Sequence, residues 1–228
     1  MGLYDAINSW KDYPAEAEKL RGFIARFKRS PGKRLLDVAC GTGKHLDLLR
    51  SDFEVEGLDL EPGMLEIAQQ RCPGVPFHEG DMTSFDLGRQ FDVVTCLFSA
   101  IGYCHTPAML GQAITRMAQH LVSGGVLVVE PFIEPHQWVN GYVNAQFGEE
   151  PNLKVSRMNV SRTEGRIAIL DFHFLVATPN GVEHFTERHE LGLFTRQETE
   201  QAFRDAGLEV DFDADGLMGR GLYMGVKP

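Results

Sequence analysis

Apolar residues in this chain gather in short, largely continuous runs at 35–38, 55–58, 91–98 and 126–132. Runs of this length without polar alternation mark strands buried on both faces, as in parallel sheets. Between them, residues 44–50, 61–72 and 107–121 read as helices, and a shorter strand covers 75–78. Upstream, Ala17, Leu20, Phe23, Ile24 and Phe27 repeat at helical spacing over 14–29. Pro14 suits the first turn of that helix and Pro31-Gly32 ends it. Ser123-Gly124-Gly125 reads as the turn before the fifth strand. Strand and helix alternate as far as Phe132, which predicts an α/β fold with a right-handed, doubly wound, mostly parallel sheet.

The pattern then changes. Residues 141–194 read as strands with few helical signals. Two long runs flank Pro179-Asn180-Gly181, a hairpin signal, with Asn180 and Gly181 as the expected two-residue loop. That loop sets Asp171 opposite Glu190. One face of the hairpin then carries Asp171, His173, His184, Thr186, Arg188 and Glu190. The other carries Phe172, Phe174, Val176, Phe185 and Leu191, with Glu187 and His189 among them. Thr195 and Glu198 form a capping box for a helix over 195–206. Residues 208–212 and 221–226 read as a closing strand pair. The expected organisation is one domain over 1–228, with an N-terminal lid and helix at 1–30. An antiparallel β insertion at 134–194 serves as a substrate cap or a homodimer surface.

The candidate chemistry lies where the first strand opens into Cys40-Gly41-Thr42-Gly43. A strand, a glycine-rich turn and a helix in succession place a ligand at the carboxyl edge of a parallel sheet. Glycines lack a Cβ and allow close backbone approach. Asp59, at the tip of the second strand, suits a ribose diol. A nucleoside-containing cofactor follows. Leu46 stands where a dinucleotide-binding loop needs a small residue, which argues against NAD. Asp37 would repel phosphate but accepts from an ammonium or hydroxyl. Asp81 suits an adenine amino group, and Met64 offers a flexible thioether to its ring. Tyr4, Trp10 and Tyr13 form an aromatic lead-in over this edge.

Composition narrows the partners. A net charge of −10 argues against nucleic acid as the main partner, because phosphate backbones need a basic field. The four cysteines, Cys40, Cys72, Cys96 and Cys104, show no paired or His-rich spacing, so reduced cytoplasmic thiols are expected and no metal. No apolar run reaches membrane-spanning length, so no membrane partner is expected.

The set Asp37, Gly41, Gly43, Asp59 and Asp81 resembles the first motif and ribose position of class I S-adenosylmethionine-dependent methyltransferases. The likeness continues through Lys11-Asp12-Tyr13 with Glu16-Ala17, Gly80-Asp81-Met82, 98–103, Val128-Val129-Glu130-Pro131, His189 with Leu193-Phe194, and 219–222. Together these resemble the dTDP-3-amino-sugar N,N-dimethyltransferases of macrolide pathways. The resemblance implies a Rossmann-like, seven-stranded sheet and S-adenosylmethionine as cofactor. It implies a cofactor pocket of Tyr13, Asp37, Ala39, Cys40, Gly41, Gly43, Asp59, Leu60, Met64, Asp81, Met82, Leu97 and Phe98. Tyr103, Tyr13 and His189 are the catalytic candidates. They would orient a neutral amine, since a phenol with a pKa near ~10 is a poor base at neutral pH. Tyr4, His173, His184, Arg188 and Arg220 are candidates for the small-molecule substrate, Arg220 through its planar fork on a nucleotide phosphate. Phe132-Ile133 departs from the paired tryptophans of the sugar enzymes. Methyl transfer to another small amine or hydroxyl, or a non-catalytic adenosyl-ligand module, are the alternatives.

Overall fold

The strand and helix alternation read from the sequence is realised in the computed structural model, which describes residues 3–228; Met1 and Gly2, at the start of the expected lid, lie outside the described residues. Helices α1 (Leu3–Ile7) and α2 (Tyr13–Phe27) come first. Then β1 (Arg34–Val38), α3 (Lys44–Leu49), β2 (Glu54–Asp59), α4 (Pro62–Arg71), β3 (Phe77–Glu79), β4 (Phe91–Cys96), α5 (Pro107–Gln119) and β5 (Leu121–Val129) alternate. Five antiparallel strands follow: β6 (Val143–Glu150), β7 (Leu153–Val160), β8 (Arg162–Glu164), β9 (Ile167–Thr178) and β10 (Gly181–Gly192). Helix α6 (Arg196–Asp205), β11 (Glu209–Asp213) and β12 (Leu222–Val226) close the chain.

The main sheet has seven strands in the order β11-β12-β5-β4-β1-β2-β3. β1 to β5 run parallel, and β12 lies antiparallel to both β5 and β11. All six residues of β4 are buried, as expected of an apolar run covered on both faces. Leu110, Ile114, Met117 and Phe203 cover one face from α5 and α6. Leu20, Ile24, Leu46 and Leu49 cover the other from α2 and α3. Each such side chain contributes about 1.5–3 kcal/mol on burial. The order reverses between β1 and β4, and ligands bind at such a switch point in open α/β sheets.

Two expected turns differ from the sequence reading. Ser123-Gly124-Gly125 is not a loop but part of β5, whose pairing with β4 shifts between Phe91 and Val93. Gly124 takes a φ of +75° there, and its carbonyl accepts from Arg29 and Ser30 N–H at 2.7 and 2.9 Å, so glycine marks a bulge. In the hairpin, Thr178 pairs with Gly181, so the loop is Pro179-Asn180 and Asp171 faces Arg188, not Glu190. Proline presets the φ of the first loop position. Ala39, Phe98 and Ser99 are the non-glycine residues with positive φ among those described, so Asn180 does not adopt the left-handed state of the expected turn. The slip moves each partner by two positions and leaves both faces as read.

The insertion forms a second sheet, β10-β9-β7-β6, with β8 on β9. Its inner face packs Val155, Phe172 and Phe174 on Ala6 and Ile7 of α1. Its outer face leaves Val143, Phe147, Met158, Leu175 and Val182 exposed. No helix among the described residues is long and apolar enough to cross a membrane. Gly148 of β6 abuts α1, where a Cβ would overlap the Ala6 carbonyl. Gly148→Ala is therefore expected to displace α1 at a cost of about 1–3 kcal/mol. Hydrogen exchange checks this: amides of residues 3–9 should lose protection while those of β4 keep theirs.

Candidate active site

The carboxyl edge at the switch point is built from strained backbone. Ala39 after β1, and Phe98 and Ser99 after β4, have φ values of 58°, 51° and 64°. Each position costs on the order of 1–2 kcal/mol for an L-residue, so each is braced. Cys40 N–H donates to the Leu58 carbonyl at 3.0 Å. Gly41 N–H donates to Asp59 Oδ2 at 2.7 Å, and Glu61 N–H to Asp59 Oδ1 at 2.9 Å. Phe98 N–H donates to Glu130 Oε2 at 2.7 Å. Ser99 Oγ donates to the Pro131 carbonyl at 2.9 Å and accepts from Arg220 at 2.9 Å. Sequence reading placed Asp59 and Arg220 at this edge but did not foresee Glu130 as a brace. Glu130 is fully buried, and its Oε1 has no hydrogen-bond partner. Burial raises its carboxyl pKa above the ordinary value, against the pull of Lys11 and Arg220.

Around the glycine loop, Gly41 and Gly43 take φ values of +55° and +74°. No atom lies within 4 Å of a Cβ added at Gly41, which leaves the loop open to a ligand. Leu60 is exposed, Met64 half-buried and Leu97 buried. Asp81 is exposed, and its Oδ1 accepts from Thr83 N–H and Oγ at 2.7 Å each; Met82 beside it packs on the core. The nearby cations Lys44 and Arg71 are both taken up by the buried Asp5 of α1. Asp5 also accepts from Thr42 Oγ at 2.8 Å, which ties α1 to the loop. This donor set fits an adenosyl ligand: carboxylates for hydroxyl and amino hydrogens, apolar walls, and Lys44 and Arg71 beside the loop already held by Asp5.

A second layer sits beneath. Glu16 bonds Lys11 and, at 3.0 Å, His45 Nε2. Burial alone would raise the Glu16 carboxyl; bonds from His45 and Lys11 outweigh it and hold it below the usual range. The Lys11 ammonium lies 4.5 Å from the ring centres of both Tyr13 and Phe98. Tyr13 is buried edge-on to His45 at 5.1 Å, and burial pushes its phenol far up. The sequence signal for this layer was an acid, Glu16, on the buried face of an amphipathic helix.

On the acceptor side, Tyr103 is 46% exposed and its Oη lies 2.6 Å from His189 Nδ1. Burial of the hydroxyl end, with Glu187 nearby, pushes the phenol up to about 12. His189 Nε2 lies 3.5 Å from Glu187 Oε2. Arg157 of β7 stacks 4.2 Å over Phe172, bonds Gln146 and acts electrostatically on Tyr4 and Tyr103. The structure thus joins Tyr4, Tyr103 and His189 and adds Arg157 and Glu187. Substrate candidates His173, His184 and Arg188 need correction. They lie on the outer face of the insertion, with Leu175 and Val182, away from Tyr103. The hairpin's largely apolar face is the one against α1, because α1 needs apolar cover; Glu187 and His189, polar exceptions on that face, were the legible clue. Trp138 packs on Phe132 at 5.9 Å, which brings a second aromatic ring beside the departure at Phe132-Ile133.

A seven-stranded sheet with this edge defines a class I S-adenosylmethionine-dependent methyltransferase. Residues 35–125 match the family model described as a methyltransferase domain. The dTDP-3-amino-3,6-dideoxy-alpha-D-glucopyranose N,N-dimethyltransferase of Streptomyces fradiae is 44% identical over 98% of this chain and 89% of its own length. The dTDP-3-amino-3,4,6-trideoxy-alpha-D-glucopyranose N,N-dimethyltransferase of Streptomyces venezuelae is 42% identical over 98% of this chain and 96% of its own. The crystal structure of Streptomyces venezuelae DesVI superposes with a TM-score of 0.93 at 39% identity, covering 100% of this chain and 99% of that one. CalS10, an amino pentose methyltransferase from Micromonospora echinaspora solved with S-adenosylmethionine bound, gives a TM-score of 0.89 at 39% identity, over 100% and 98% of the chains. The chain belongs to the family of dTDP-amino-sugar N,N-dimethyltransferases, and its methyl donor is S-adenosylmethionine.

Asp37 supplies a stability test. It is buried, accepts from Thr95 Oγ at 2.6 Å, and burial pushes its carboxyl from 3.8 up to about 6. Between those values the folded protein holds a proton that the unfolded chain has released, so stability falls as pH rises through this window. The loss is roughly 3 kcal/mol at neutral pH. Asp37→Asn, which still accepts from Thr95, should raise stability at pH 7 and flatten its decline between pH 4 and 6. Urea unfolding across that range checks both.

Proposed function

We propose that this enzyme methylates the amino nitrogen of a nucleotide-linked amino sugar. The observation that carries the reading is the second sheet. Its inner face and α1 bring Tyr4, Tyr103, Arg157 and His189 together beside the methyl-donor edge, with Arg220 at Ser99 on the same edge. This enclosure suits an acceptor larger than a free amine, and the sugar enzymes named above support it over nearly the whole chain.

Asp59 is assigned to the ribose hydroxyls, Asp81 to the adenine amino group, and Leu60 and Met64 to the faces of the adenine. Gly41 and Gly43 admit the ligand backbone-close, and Asp37 offsets the positive charge of the methionine end. Bound S-adenosylmethionine supplies a methyl carbon on a sulfonium, already a strong electrophile. The protein's task is therefore geometric: the acceptor nitrogen must be neutral and in line behind that carbon. Positioning of this kind contributes up to roughly 7–11 kcal/mol. Tyr103 Oη orients the amine. Tyr13, Lys11 and Phe98 form the packed floor. Arg220, adjoining Ser99, meets the diphosphate through its planar fork.

Two measurements test the assignment. Asp59→Ala removes charge-assisted bonds worth about 1.5–3 kcal/mol, so calorimetry should show S-adenosylhomocysteine binding weakened at least about tenfold. Unchanged affinity contradicts the ribose role. The enzyme should also turn over a dTDP-linked amino sugar faster than the free sugar, and Arg220→Ala should erase that preference. A parent with no preference for the nucleotide points to a small-amine acceptor instead.

A further inference from the structure

The contacts behind Tyr103 run in one direction. Tyr103 Oη meets His189 Nδ1 at 2.6 Å, and His189 Nε2 meets the half-exposed Glu187 at 3.5 Å. The chain of groups leads from the acceptor side to solvent. His189 and Glu187 lie on the inner face of the insertion, where Phe172 packs edge-on to His189 at 5.1 Å. Orienting an amine needs only Tyr103; the imidazole and carboxylate behind it are surplus to that role.

We infer that Tyr103, His189 and Glu187 form a proton exit that resets the acceptor nitrogen between two methyl transfers. This rests on the amino-sugar reading above. In the first transfer the amine forms a C–N bond as the donor's C–S bond breaks, and the nitrogen is left as a secondary ammonium. It cannot attack again until it loses a proton. That proton passes to Tyr103 Oη while the phenol's own proton passes to His189 Nδ1, so the phenol is never left ionised. This matches a phenol whose pKa is raised. Neutral His189 receives the proton as the Nε2–H tautomer, and Glu187 stabilises the resulting imidazolium. Imidazole is suited to exchange with water near neutrality. Charged and titratable groups also act on the relay from the elements around it: Arg157 from β7, which opposes the imidazolium, Tyr4 from α1, and Asp59 at the end of β2 with Glu61 just before α4, both of which push the Tyr103 phenol up.

The experiment follows mono- and dimethylated products from dTDP-3-amino-3,6-dideoxyglucose across pH 6–9 in the parent, Tyr103→Phe, His189→Gln and Glu187→Gln. In each variant the second transfer should slow relative to the first, and released monomethyl product should rise about tenfold or more. That is modest beside the hundredfold typical of a proton moved in the transition state itself. The ratio of second to first rate should depend on pH in the parent and lose that dependence in His189→Gln. Independently of turnover, the NMR titration of His189 in the substrate-free protein should move to lower pH in Glu187→Gln. Equal product ratios in parent and variants, or an unmoved His189 titration, overturn the relay. Failure of the acceptor reading looks different: the parent then methylates no amino sugar at all.

Discussion

The left-handed backbone at the ends of β1 and β4 is the constraint on which the rest of the site depends. A βα turn that lets a ligand reach the strand ends must fold back sharply, and here Ala39, Phe98 and Ser99 do so without glycine. Each would relax to an ordinary conformation if left alone. Bonds from neighbouring strands prevent it: Asp59 from β2 holds the first turn, while Glu130 and Pro131 after β5 and Arg220 before β12 hold the second. Three segments far apart in sequence thus converge on two turns. The central strands must keep their order for the edge to exist at all, so the buried sheet and the open site are one cooperative structure.

The insertion is anchored to that edge by α1. Ala6 and Ile7 bury against the inner face of the second sheet, while Asp5 on the same short helix takes Thr42, Lys44 and Arg71 from the cofactor-loop side. A helix of this length is not stable alone. Its order comes from packing on one side and a buried carboxylate on the other. Any change that frees the loop from Asp5 also loosens the sheet carrying His189, which couples the two halves of the site through contacts rather than through the chain.

Much of this was legible. Largely apolar runs, a glycine loop and acids at strand tips specify a doubly wound sheet and its ligand edge, since burial on both faces and close backbone approach leave few residue choices. The two faces of the hairpin followed from its period of two. What failed was the inference from polarity to function. His173, His184 and Arg188 form the more polar face, yet a sheet laid over a short apolar helix must turn its apolar face inward, so these residues point outward. Arg157, Glu130 and Asp5 act across long sequence separations, and no local pattern marks such partners. The hairpin slip had a local cause that proline chemistry explains.

The electrostatics of the site follow from the reaction. Positive charge starts on the sulfonium and ends on the acceptor nitrogen, so a site that stabilised only one position would trap it. Acids lie on both sides here. Asp37, Asp59 and Glu130 gather at the strand ends, and Glu187 lies behind His189 on the acceptor side. Arg220 and Arg157 stand among the acids, a placement that suits an acceptor bearing phosphate. A net charge of −10 is compatible with such an acceptor because recognition of one diphosphate needs a local fork, whereas a nucleic-acid backbone needs an extended basic field. The buried, half-satisfied Glu130 is the costly member of this arrangement. Its place beneath Phe98, between Lys11 and Arg220, lets it brace a strained turn at the edge where the cation moves, although burial raises its carboxyl pKa.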